Sequence, residues 1–179
     1  ASEARLAKTA MDLGESFANS DHELDELGPA LFSNEWMPYR RAFGIGLAKG
    51  AHNYRQGWQS LLEHLARSSD SNHNFAVIGG FIKEVAANDK ALSRELLDEC
   101  AEHSELRKVL VDLHPEDDFA ESDLERCMTL LESEETGAWM YGPILWRDNF
   151  SHLPFSRLLG LAKQLLAKPN GEYTLLDAL

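Results

Sequence analysis

Apolar positions recur along this chain at spacings of three and four residues, and the pattern predicts one helix after another. The first stretch, 1–19, carries Leu6, Ala10, Leu13 and Phe17. Ser20-Asp21 offers a cap for a short second helix with Leu24, Leu27, Leu31 and Phe32, weakened at its middle by Gly28-Pro29. After a break at 34–38, the stretch 39–51 presents Phe43, Leu47, Ala48 and Ala51. His52-Asn53 form a joint, and 54–66 presents Tyr54, Trp58, Leu61, Leu62 and Leu65. A polar turn, 68–74, leads to a helix over 75–87 that is closed by Asn88-Asp89, the cap of the next one with Leu92, Leu96, Leu97 and Cys100. A short helix over 104–113 stops at His114-Pro115. Ser122 with Glu125 reads as a capping box for 123–133. Helices over 136–146 and 155–167 follow, the latter entered through Pro154, and a last piece runs to Leu179 beyond the turn at 169–171.

A period emerges when these helices are taken in pairs. Gly46 and Gly80 are 34 residues apart, as are Leu62 and Leu96; Gly80 to Gly142 and Leu96 to Leu158 are both 62. Four hairpins result, 39–69, 74–103, 104–133 and 136–168, preceded by N-terminal helices in 1–34 and followed by a C-terminal helix in 171–179. Gly44, Gly46, Gly79, Gly80 and Gly142 lie inside helical patterns, where each costs about 1 kcal/mol relative to Ala. Close approach of a neighbouring helix backbone would compensate for that cost. Through Gly46, Gly80 and Gly142, with Leu62, Leu96 and Leu158, the chain resembles the HEAT-like and related helical-hairpin repeat proteins over residues 39–168. The resemblance implies an all-α fold, a right-handed array of antiparallel helix pairs (an α-solenoid) of about 9–11 helices. It also implies a scaffold or recognition surface, like the helical sensor or partner-binding regions of larger bacterial signalling ATPases, antiviral defence proteins among them. On this reading residues 1–179 form one helical-repeat domain, or a segment of a longer array.

Composition strengthens the helical reading. Leu occurs 28 times and Ala 20 times, against 12 for Val, Ile and Thr together. No apolar run approaches the roughly 20 residues that a membrane span needs. Cys100 and Cys127 fall inside helical patterns as small hydrophobes, which fits a reducing cytoplasm.

The net charge of −13 disfavours nucleic acid and anionic membranes as partners. The charge is also segregated. Residues 38–69 carry Arg40, Arg41, Lys49, Arg55 and Arg67 against Glu63, whereas 112–135 carry ten acids, Glu116, Asp117 and Asp118 among them, against Arg126. Either segment could dock a partner of opposite charge. Arg40, Arg41 and Arg55 interleave with Tyr39, Tyr54 and Trp58, chemistry that also suits phosphate contact with base stacking, so a ligand- or nucleic-acid-binding domain using 39–58 is the alternative. Trp139, Tyr141, Trp146 and Phe150 concentrate aromatic surface in the fourth hairpin, and one exposed Trp there would mark a recognition spot.

Catalytic chemistry is not legible. No histidine follows a Glu by three residues, and there is no Cys-x-x-Cys, no phosphate loop and no hydrolase elbow. Glu99, Glu102 and His103 read as a solvated helix end. The sequence therefore assigns no catalytic, cofactor or metal residue. It predicts a non-catalytic protein–protein interaction module, with Arg40, Arg41, Arg55, Glu116, Asp117, Asp118, Trp139 and Trp146 as candidate partner-binding residues.

Overall fold

A computed structural model describes residues 2–18, 21–34, 37–68, 73–115, 119–133, 136–145 and 153–176. The fold is all-helical, with no strand among the described residues. It divides into two compact units, Ala1–Ser93 and Arg94–Leu179. The division falls inside one helix, α6 (Lys90–Glu102).

The first unit contains α1 (Ser2–Phe17), α2 (Asp21–Phe32), α3 (Arg40–Gly50), α4 (Tyr54–Arg67) and α5 (Ala76–Asn88). Alternate helices pack on one another: α1 lies along α3, α3 along α5, and α2 against α4. Glycine makes the first two contacts close. A Cβ on Gly44 would run into the Val77 carbonyl of α5, and one on Gly80 into the Arg41 carbonyl of α3. Gly14 and Gly46 meet the facing backbones of α3 and α1 in the same way. The close approach expected at Gly46 and Gly80 is thus present, and backbone-to-backbone contact over this length offsets the low helix propensity of the glycines. Phe43, Leu47, Trp58, Leu61, Ile78, Phe81, Ile82 and Val85 are buried in this unit.

Local chemistry sets the boundaries. Asn53 caps α4 by accepting the Gln56 N–H at 3.2 Å, and Asp89 accepts the Leu92 N–H at 3.0 Å to open α6. Pro29 does not end α2, which runs on to Phe32. Gly28 in this helix lies against the His64 ring, where a Cβ would have no room, so packing overrides the local weakness.

The second unit departs from the hairpins that periodicity predicts. In place of a helix over 104–113 stand a 3₁₀ turn, Leu106–Val109, and a single α-turn, α7 (Leu110–Leu113). His103 Nδ1 accepts the N–H groups of Glu105 and Leu106 at 3.2 and 3.4 Å and turns the chain out of α6. A ring nitrogen thus closes the end of α6 as a hydrogen-bond acceptor. Next come α8 (Glu121–Leu131), a second 3₁₀ turn (Ala138–Tyr141), α9 (Gly142–Leu145), α10 (Phe155–Leu166) and α11 (Gly171–Leu176). The expected cap of α8 is also different. Asp123, not Glu125, reaches back, accepting the Ala120 N–H at 2.7 Å and starting the helix one residue before Ser122. One continuous core holds these short elements, built from Val111, Phe119, Leu124, Leu131, Tyr141, Ile144, Leu161 and Leu165 with Cys127.

Candidate interaction surface

The fold takes up one arginine and the central tryptophan of the basic segment. Arg40 is 4 % exposed, and its Nη2 donates to the Ala30 carbonyl and the Ser33 hydroxyl, both at 3.2 Å. This guanidinium ties α3 to the C-terminal end of α2, so it is withdrawn from the surface expected to carry it. Trp58 is 1 % exposed, and both it and Tyr54 pack on Phe81, with ring centroids 6.3 and 6.5 Å apart. The aromatic side of a phosphate-and-stacking patch is therefore occupied by the core. Arg41 and Arg55 are half-buried. Glu116, Asp117, Asp118 and Trp146 lie outside the described residues, as does Phe150.

Trp139 is placed differently. It is 75 % exposed in the 3₁₀ turn that Met140 and Tyr141 anchor in the core. Exposed apolar residues recur on the elements packed around it. Helix α10 is apolar on two sides: Leu158, Leu161 and Leu165 face the core, whereas Phe155, Leu159 and Leu166 face outward, Phe155 with 79 % exposure. Spacings of four and seven residues set these three on one stripe, with half-buried Ala162 between them. Tyr173 and Leu176 are exposed on α11, which packs on both α10 and the Trp139 turn. Sequence reasoning found Trp139 through aromatic density. It missed the α10 stripe because the apolar arc of this helix is broad, and sequence alone does not show how much of that arc the core covers.

Polar contacts fix this surface from behind. Arg157 of α10 pairs with Glu121 and Glu125 of α8, and Gly160 lets the helix settle on Met128. Tyr141 donates its hydroxyl hydrogen to the Cys127 carbonyl at 2.7 Å, and burial raises the pKa of both this phenol and the Cys100 thiol. Both cysteines are free, buried thiols. Helix α8 is held in turn by a buried network. Arg126 donates to Asp123 Oδ1 at 2.6 Å and through Nε and Nη2 to Asp98 at 2.9 and 2.6 Å. Its Nη1 also lies 3.4 Å from His114 Nε2, while His114 Nδ1 contacts the Leu110 carbonyl at 2.8 Å. Nδ1 then carries the ring proton and Nε2 accepts from Arg126. Burial pulls the Arg126 pKa down, but the hydrogen bonds it donates to Asp98 and Asp123 outweigh burial and hold the value above that of an ordinary arginine. Within this network His114 and Asp123 are fully buried.

Among the described residues no group of three or more His, Cys, Asp or Glu is placed to hold a metal ion, and no helix is long and apolar enough to cross a membrane. Comparison with protein-family models, with curated proteins and with solved structures finds no match.

Proposed function

We propose that this chain is a non-catalytic protein–protein interaction module whose second unit docks a partner on the outward stripe of α10. The observation that carries the reading is the exposure of Phe155, Leu159 and Leu166 on a helix whose adjoining apolar side is already seated in the core. Exposed aromatic and aliphatic anchors on a rigid support are what an interaction hot spot needs. The net charge of −13 keeps copies of the chain apart, so the occupant is a different protein. The stacking of α1, α3 and α5, with α2 on α4, supports the helical-array reading of the first unit, and such arrays serve as recognition regions of larger signalling or defence proteins. The stacking surface that a nucleic-acid reading would use is buried with Trp58.

The test is co-purification from native lysate with wild type and with Phe155→Glu/Leu159→Glu. Both residues are exposed, so the melting temperature should move by no more than about 2 °C. The reading predicts a protein retained by wild type and lost by the variant. Identical retention by the two would overturn it.

A further inference from the structure

A second recognition feature lies in the first unit. Two cavities of about 260 and 270 Å³ share Gln56 and Ser60 and so adjoin along α4. Together their linings extend along this helix from Asn53 to Arg67, roughly 21 Å at 1.5 Å per residue. An extended peptide of about six residues covers that distance. The two ends differ in chemistry. The first cavity has Leu47, Ala51, Leu61 and Phe81 among its walls; the second, toward the end of α4, has Asp25, Glu63, His64 and Arg67.

We infer that this groove binds an extended segment of a partner protein, with an apolar side chain at the α4 N-terminal end and a lysine or arginine at the other. This deepens the protein-interaction reading by naming the chemistry of a partner, and it stands on a different surface from α10. Three observations carry it. First, Gln56 and Ser60 line the shared stretch, with Gln59 beside them in the second cavity, and their side chains make no hydrogen bond with the described residues. Amides and a hydroxyl supply both donors and acceptors, the complement of a peptide main chain. Second, the far cavity is acidic on balance. Arg67 reaches Asp25 at 2.9 Å and Glu63 at 3.5 Å, so one cation faces two carboxylates. Third, His64 is buried against this cavity, with its Nε2 3.8 Å from Asp25 Oδ1 and no hydrogen bond from its ring to the described residues. Burial lowers its pKa, so the ring is neutral and adds no positive charge to repel a basic side chain. The two ends are separated by about 10 Å from Gly57 to His64, which sets the apolar and basic residues of the partner roughly three positions apart.

The probe is a library of acetylated, amidated, fluorescein-labelled heptapeptides. Each has one leucine, one arginine and serine elsewhere, with the leucine–arginine spacing and order varied. Fluorescence anisotropy with the full chain should pick out one order and a spacing of about three. Glu63→Lys and Gln56→Ala change exposed side chains, and each should weaken the selected peptide by roughly fivefold or more. Phe155→Glu/Leu159→Glu should leave its affinity unchanged. Absence of binding at about 1 mM peptide, or binding indifferent to spacing and to both groove variants, overturns the inference. Either result leaves the α10 reading standing or falling on its own co-purification test.

Discussion

Single residues hold the first unit together where backbones meet. Gly80 has no space for a side chain because the Arg41 carbonyl occupies it. Gly80→Ala gains about 1 kcal/mol of helix propensity, yet it must push α3 and α5 apart, so a net loss of about 1–3 kcal/mol is expected in urea melts. An equal or higher midpoint would contradict the packing. His64 provides a second test. Its ring faces Asp25 of α2 with Glu63 and Arg67 of its own helix, and burial, assisted by Arg67, lowers its pKa despite both carboxylates. The unfolded chain then takes up the proton first. Stability contributed by the neutral ring is complete above about pH 6.5 and declines as pH falls below that value. The melting temperature of wild type should fall between about pH 7.5 and 5.5, and His64→Gln should flatten that slope. Glycine spacing was legible in the sequence because a helix-disfavoured residue recurring at 34 positions requires an explanation. The burial of Arg40 was not, since charge alone cannot tell a solvated arginine from one that holds the Ala30 carbonyl.

Long helices were equally legible, and short ones were not. The long helices α3, α4, α5 and α6 follow the hydrophobic period to within a residue or two of the expected bounds. Over 104–113 and 136–145 the period misleads, because four-residue pieces of 3₁₀ and α-helix share the same apolar spacing. Side-chain acceptors decide that region: His103 turns the chain and Asp123 starts α8. Asp123 also holds Arg126, and both side chains are withdrawn from water. Asp123→Ala leaves that cation without its buried partner and should cost about 3–5 kcal/mol. Asp98 pairs with the same arginine from an exposed position, so Asp98→Ala should cost about 1 kcal/mol or less. Chemical denaturation of the two variants checks the order, and equal losses would show that the network does not depend on its buried member.

At the scale of the molecule, two units offer two kinds of surface: a mixed polar and apolar groove along α4 and an apolar stripe on α10. The sequence showed the charge imbalance that would attract a basic partner, but Asp123, Glu121 and Glu125 of the acidic segment are engaged internally by Arg126 and Arg157. The α10 stripe escaped detection because inward and outward leucines are alike until a core is present on one side. Site-specific photo-crosslinking tests this central claim most directly. A benzophenone amino acid replaces Leu159 on the stripe, or Thr129, exposed on α8, as the control. The account predicts a discrete adduct with another protein from position 159, absent from position 129 and lost when Phe155→Glu is added. Equal adducts from both positions, or adducts formed only between copies of this chain, would contradict it.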